Sequence, residues 1–380
     1  MWKIPLFKPD YSAKERNALL KVFDEGWLAM GKYTSRFEGE FSKYLGGNVE
    51  SAAVSSCTAA LHIALMAANV GKGDEVLIPA LTFVADLNVV MMVGAKPVTV
   101  DVASLTDWNM SFDDFFRKIT PKTKAAIVVH FAGYPFDPRI TELCQKKKII
   151  LIEDCAHAIG ASIGGKMCGT LGDMAAFSFY ANKNLAVGEG GMFVSPVTGF
   201  AGKARLLRSH GMTALSLERN LGKLISYDVR TPGLNYRISE INSAIGLEQL
   251  KKLDKGIQKR KKLVDKYIFF LSRHRSSAAL TIPFVQYPEN VQPAFHIFPA
   301  LLPENIERKE FMEHLQSAGI QSSIHYPAFR HFSGYKKQIK DKTPLADAIS
   351  SRAVTLPLYP GMSHQDVEYI CKSIAAFFNK

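Results

Sequence analysis

The chain of 380 residues has no apolar run built to cross a membrane. Its longest apolar region, Val76 to Ala95, is interrupted by Pro79, Asp86 and Asn88. A spanning helix needs about 20 mostly apolar residues, and an Asp at its centre costs about 2.5–3.5 kcal/mol. Cysteine is also scarce. The five present (Cys57, Cys144, Cys155, Cys168 and Cys371) are odd in number and contain no CxxC pair. That argues against a zinc ribbon or a disulfide framework, and a reducing, cytoplasmic setting is expected. The first ten residues break their apolar character every few positions, so no signal peptide is read there. Internal repeats and low-complexity segments are missing. So are G-x-G-x-x-G after a strand and G-x-x-x-x-G-K-[ST], the signatures of a nicotinamide site and a P-loop. Neither a helix-turn-helix signature nor a basic stripe interleaved with aromatics is found.

What is present describes an ordinary folded protein. Apolar residues make up 47% and charged residues 22%, which excludes a disordered chain or a collagen. Lysine and arginine number 47 against 35 acidic residues, a net charge of +12. Such a surface attracts anions generally, from nucleic acid to phosphorylated metabolites. The length is consistent with two domains.

From about residue 50 to residue 200, short β-branched runs alternate with helical windows. Strands are predicted at Ala52–Val54, Glu75–Ile78, Pro97–Asp101, Ala125–Val129 and Ile149–Glu153. Helices are predicted at Thr58–Asn69 and Thr141–Lys148. Continuous apolar strands alternating with helices imply a mostly parallel sheet covered on both faces, hence an α/β fold. Ligands in such sheets bind beyond the carboxyl ends of the strands. One long helix is predicted from Ser239 to about Ser272, crowded with Lys251, Lys252, Lys255, Lys259, Arg260, Lys261 and Lys262. That face is read as solvated, with a phosphate-binding face as the alternative. The expected division is a large domain over residues 1–250 and a smaller α+β domain over residues 251–380.

Three features beyond strand ends carry chemistry. Strand Ile149–Glu153 runs into Asp154-Cys-Ala-His157. A carboxylate there either holds a cofactor or merely caps a helix. Lys183 lies between the apolar strand Met174–Phe179 and the glycine-rich Gly188-Glu-Gly-Gly191. A lone lysine is usually a surface charge, but a desolvated one loses its proton and attacks aldehydes. Val54-Ser-Ser-Cys-Thr58 is a strand end, a polar turn and a helix start. Free backbone N–H groups make such a start an anion site, although an ordinary cap reads the same. Together, a lysine, an acid and an anion site match the needs of pyridoxal phosphate for its aldehyde, ring nitrogen and phosphate.

The sequence also resembles the DegT/DnrJ/StrS family of pyridoxal-phosphate (PLP) sugar aminotransferases over nearly its whole length. The resemblance rests on motifs in shared order. They include Gly26-Trp-Leu-Ala-Met-Gly31, Ser56-Cys-Thr-Ala-Ala-Leu-His62, Pro79-Ala-Leu-Thr-Phe83, Glu153-Asp-Cys-Ala-His-Ala158 and Phe177-Ser-Phe-Tyr-Ala-Asn-Lys-Asn184. Gly233-Leu-Asn-Tyr-Arg-Ile-Ser-Glu240, His325-Tyr-Pro327 and Leu356-Pro-Leu-Tyr-Pro-Gly361 continue it. It implies the aspartate-aminotransferase fold (PLP fold type I). It also implies amino transfer from L-glutamate or glutamine to a nucleotide-linked keto sugar, in amino-sugar, polysaccharide or natural-product biosynthesis.

By position, Lys183 is implied to bond the aldehyde and move the proton, and Asp154 to pair with the ring nitrogen. Cys57, Thr58 and Ser178 would hold the phosphate, Phe83 would stack on the ring, and His157 would lie near the ring 3-oxygen. Asn235 is implied to reach the cofactor of a second subunit, which makes a homodimer. His325, Tyr326 and Arg330 would lie near the sugar nucleotide. No metal, nucleic acid or membrane partner is expected. The chain departs from relatives in carrying Cys57 for Gly, Tyr180-Ala-Asn182 for His-Pro-Thr, and Arg330 for His. Rival readings are a sugar dehydratase of the same fold, which carries His at the lysine position, a non-catalytic regulatory or nucleic-acid-binding protein, and an amino-acid or cyclitol aminotransferase.

Overall fold

The computed structural model describes residues 2–213, 226–273 and 280–379. Its centre is a seven-stranded sheet of order β1-β9-β8-β5-β4-β2-β3. The strands are β1 (Glu50–Val54), β2 (Glu75–Pro79), β3 (Lys96–Val100), β4 (Thr123–Val129), β5 (Ile150–Asp154), β8 (Met174–Ser178) and β9 (Gly191–Ser195). The pairs β2–β3, β2–β4, β4–β5 and β5–β8 are parallel. Only β9 runs against its neighbours β1 and β8. The mostly parallel α/β sheet anticipated from the apolar runs is therefore present. A minor sheet joins β6 (Ser162–Ile163), β7 (Lys166–Met167) and β10 (Val291–Gln292).

Before β1 come helices α1 (Ala13–Asp24) and α2 (Lys32–Tyr44), and crossovers pass through α3 (Cys57–Ala67), α4 (Ala85–Met92), α5 (Phe112–Lys118) and α6 (Arg139–Lys147). Helix α3 is apolar on nearly every face: Ala59, Ala60, Leu61, Ile63, Ala64 and Leu65 are all buried. Such a helix belongs in a core rather than on a surface, and α3 lies across β8 and β9. After β9 comes α7 (Phe200–Leu207).

The single long helix expected from Ser239 is two helices, α8 (Glu240–Leu250) and α9 (Leu253–Arg273). The break at Lys251–Lys252 is where the N-terminal segment docks. Lys252 pairs with Glu15 at 2.7 Å, and Gln249 donates to the Asp10 carbonyl and to Glu15. Most of the basic side chains there face solvent, with Lys261 paired to Asp265 one turn on. Arg260 is the exception: it is buried and donates to the carbonyls of His296 and Leu358.

The C-terminal part wraps helices α10 (Arg308–Ser317), α11 (Pro344–Arg352) and α12 (His364–Phe378) around the antiparallel pair β11 (Phe298–Leu301) and β12 (Ala353–Leu356). Residues near the N-terminus join it. The Ile4 N–H donates to Gly319 O at 3.1 Å, and the Gln321 N–H returns a bond to Ile4 O at 3.0 Å. The apolar cluster holding Ile4, Tyr267, Phe298, Phe311 and Ile370 continues into Leu81, Trp108 and Phe131 beside the large sheet. Among the described residues, no helix is long and apolar enough to cross a membrane.

Two of the distant motifs meet in one contact. Helix α2 starts at Gly31, which has no side chain to cap it. The buried Glu240 carboxylate does so instead, accepting from the N–H groups of Gly31, Tyr33 and Thr34 at 2.7–2.8 Å and from Thr34 Oγ1 at 2.6 Å. Orphaned helix N–H groups favour an anion at that end. Replacing Glu240 with Ala strands three amide donors in a buried position. The expected cost is about 3 kcal/mol, read as a lowered urea midpoint, with Glu240→Gln losing less.

Candidate active site

The carboxyl ends of β1, β5 and β8 open into one cavity of about 350 Å³. It is lined by Ser56, Cys57 and Thr58 after β1, by Asp154 at the end of β5 and His157 beyond it, and by Ser178 at the end of β8 and Lys183 beyond it. Phe83, His325 and Tyr326 complete the wall. The sequence placed these groups more than 250 residues apart, and the fold gathers them.

At one end of the cavity, Ser56 caps α3, its Oγ accepting from the Ala59 N–H at 3.1 Å. The next backbone amides are thus left at a helix N-terminus, where anions bind. Gly191 stands in register with both Val54 of β1 and Ser178 of β8. A Cβ on Gly191 would lie 2.4 Å from the Ser56 carbonyl carbon and 2.6 Å from Cys57 N. Glycine is needed there because backbone meets backbone. Gly188 has φ +96°, the left-handed region that favours glycine. The glycine-rich run therefore serves close approach and a turn.

At the strand ends, Asp154 is buried and accepts from the Ala156 N–H at 2.8 Å and from the Cys57 thiol at 3.6 Å. Its carboxyl sits above the usual carboxylate range, because burial outweighs the Ala156 amide and the Lys183 charge that pull it down. A second buried carboxyl, Asp86 of α4, stands against it. One Asp86 oxygen accepts from Thr82 Oγ1 at 2.6 Å, and the other has no partner among heavy atoms of the described residues other than a facing acceptor. Burial and the neighbouring Asp154 charge raise Asp86 well above the carboxylate range. Two adjoining carboxyls share one proton. Asp86 holds it, because Asp154 has the amide and thiol donors and the cation. Cys57 thus contributes a protonated thiol to the anion, and burial raises that thiol well above its usual value.

Glu153 points to the other face of the sheet. It accepts from the N–H groups of Gly169, Leu171 and Gly172 and lies 2.9 Å from His130 Nε2. With Cys155 these side chains form a compact trio of metal-binding types, but the Glu153 oxygens are already occupied by backbone donors. The successive acids of Glu153-Asp154 divide their work: one anchors a turn, the other faces the cavity.

Lys183 opens onto the cavity. Loss of hydration pulls its amine down to about 8, against the opposing attraction of Asp154. His157 is held neutral by burial and by the lysine charge. The Ala132 N–H donates to His157 Nδ1 at 3.3 Å, so His157 Nε2 carries the hydrogen and donates to the Tyr326 hydroxyl oxygen (Oη) at 2.9 Å. Tyr326 rests against Phe83, ring centroids 5.7 Å apart, and Phe83 is 55% exposed at the mouth. His325 reaches Thr355 of β12 at 2.8 Å. The C-terminal part thereby supplies one wall.

Two expected residues lie elsewhere. Arg330 is bound to Asp347 and Thr343 of the C-terminal part, so its charge is already matched and does not reach the cavity. Asn235 is exposed and outside the cavity, its backbone paired with Ser209. The sequence reading missed Asp86 and His296 as site residues. Asp86 had a signal, a lone carboxylate in an otherwise apolar window. His296 had none, since it enters from the C-terminal part through the chain's return.

A desolvated amine, a buried anion and a helix N-terminus around one cavity define a pyridoxal-phosphate enzyme of the aminotransferase class. The comparison with known proteins goes further. The model of the DegT/DnrJ/EryC1/StrS aminotransferase family matches residues 9–375, and the chain belongs to that family. It is similar to GDP-perosamine synthase of Vibrio cholerae, 35% identical over 386 residues and 99% of each chain. Its fold matches the aminotransferase TlmJ of Streptoalloteichus hindustanus, with TM-score 0.90, 30% identity and 98% of each chain covered. It also matches Spr1654 of Streptococcus pneumoniae, assigned as a sugar aminotransferase and solved in its PLP form. That match has TM-score 0.90 and 28% identity, over 99% of this chain and 98% of that one.

The lowered amine sets a pH dependence. The free amine attacks the aldehyde, so attachment of pyridoxal phosphate to the apoprotein is expected to speed up as pH rises through about 8 and then level. The check is absorbance of the bound cofactor against time across pH 6–11 (roughly the range from His to Lys titration). An ordinary lysine would keep accelerating to about 10.4.

Proposed function

We propose that this aminotransferase moves the amino group of L-glutamate or glutamine to a keto sugar carried on a nucleotide. The observation that carries the reading is Lys183 and Asp154 facing one cavity beside a helix N-terminus. Lys183 would hold the cofactor aldehyde, Asp154 would face the ring nitrogen, and Cys57, Thr58 and Ser178 would hold the phosphate. Phe83 and His157 would flank the ring. Pyridoxal phosphate, when bound, supplies the electron sink for breaking a C–H bond. The protein supplies the rest. Asp154 holds a negative charge against the ring nitrogen. Lys183, once displaced by the donor, takes the proton from the amino-acid carbon and delivers it to the cofactor carbon as a general base and then acid. The burial of Asp154, Asp86 and Cys57 keeps water from that carboxylate.

The substrate class draws on the relatives named for sugar amination and on the site. A net charge of +12 favours a diphosphate-bearing substrate, and His325 and Tyr326 at the cavity wall suit a sugar's hydroxyls. We place the reaction in the cytoplasm, in a homodimer in which Asn235 reaches the partner's cofactor. The exposed position of Asn235 supports that arrangement. The working division remains residues 1–250 and 251–380, the second part lending His325 and Tyr326 to the site of the first. The dehydratase reading needs a histidine where this chain has Lys183, and a purely regulatory role leaves the lowered amine without use.

The test is a panel of keto-sugar nucleotides mixed with purified protein, pyridoxal phosphate and glutamate, read by mass spectrometry for the amino product. Lys183→Ala is expected to reduce turnover by at least about 10⁴-fold. Turnover surviving in that variant, or release of an unaminated deoxy sugar by the unaltered protein, would overturn the reading.

A further inference from the structure

His296 is buried in the segment that leads into β11, with Nε2 3.4 Å from Lys183 Nζ. Its tautomer can be read from its other side. Nδ1 lies 3.2 Å from Asn184 Oδ1. The Asn184 amide is oriented by its own bond, Nδ2 donating to the Ala294 carbonyl at 2.8 Å. The oxygen is therefore the atom turned to the imidazole, and an amide oxygen only accepts. Nδ1 must carry the hydrogen, which leaves Nε2 of the neutral ring as a lone pair aimed at the lysine amine. The ring's backbone is fixed as well, since Arg260 donates to the His296 carbonyl at 3.0 Å.

We propose that His296 is a positioning residue for Lys183: its Nε2 lone pair accepts a hydrogen bond from the amine and stabilises the ammonium form whenever the amine is free of the cofactor. The inference rests on the reading of Lys183 as the reacting amine. Asp154 acts on that amine through its charge, and His296 through contact. The two roles differ at the moments that matter, when Lys183 has been displaced and must wait, protonated or not, within reach of the reacting carbons.

His296 does not take the proton itself. Burial holds its imidazole well below the usual value, and the charges of Lys183 and Arg260, with His157 and His325 beside it, push the same way. On the lysine side, Asp154 is the facing charge and favours the ammonium, while the neighbouring Cys57 thiol stays neutral. The proton therefore stays on Nζ, with the imidazole as acceptor. Asn184 keeps the ring in the accepting tautomer, which gives the motif residue next to the lysine a task of its own.

The experiment uses the cofactor-free full chain, so it does not depend on turnover. Lys183 is acetylated with acetic anhydride across a pH series and the labelled peptide is quantified by mass spectrometry. The unaltered protein is expected to show a midpoint near 8. His296→Leu removes the acceptor and is expected to lower the midpoint by about one unit or more. In His296→Gln, the side-chain oxygen reaches the position of Nε2, and at least about half of the shift should return. Should His296→Leu fail to fold by circular dichroism, Asn184→Leu serves instead. It releases the tautomer and is expected to lower the midpoint in the same direction. Folded variants whose midpoints all equal that of the unaltered protein would overturn the proposal. Failure of the keto-sugar panel with an intact midpoint shift would strike only the substrate reading.

Discussion

The site depends on keeping one carboxylate charged in a place with little water. Asp154 ends a strand of the central sheet, buried on a scaffold of apolar residues. An isolated anion there would protonate. It is kept ionised by the Ala156 amide, the Cys57 thiol, the protonated Asp86 and the Lys183 charge. Each of these comes from a different stretch of chain. The sheet's job is to deliver them to one point, and the order of its strands does so by setting β5 beside β8 and the lone reversed strand β9 between β8 and β1.

The same economy governs the anion end. A helix start, two strand ends and a glycine in register with both strands build a cradle largely from backbone, with the Thr58 and Ser178 side chains lining the same cavity. No arginine is needed at this end, and Arg330, expected near the sugar nucleotide, is paired with Asp347 in a separate part of the molecule. The neutral histidines His157, His296 and His325 around the amine are each kept uncharged by burial. They give the site hydrogen-bond direction without adding positive charge beside Lys183.

Much of the sheet could be read in the sequence because buried parallel strands are written as unbroken apolar runs. Ile149–Glu153 was within a residue of β5, and Asp154 and Lys183 were legible because each follows such a run. The long helix from Ser239 was misread, since its apolar spacing continues through Lys251 and Lys252. The turn there is set by Asp10 and Glu15 from the other end of the chain. His296 was invisible for the same reason. A residue whose role comes from a contact across 113 positions leaves no local pattern.

The pairing of Ile4 with Gly319 and Gln321 joins the first residues to a segment made more than 300 positions later. During vectorial synthesis the opening segment must stay unpaired while most of the chain emerges and the central sheet condenses. Contacts of such long separation form late. The Ile4 segment seats beside Gly319 and Gln321 and, through Leu6 and Leu358, against the segment that follows β12. The wall bearing His325 and Tyr326 gains this support only once residues 319–358 have been made and meet the Ile4–Leu6 segment, so a product terminated before them would carry the reactive lysine without an enclosure around it.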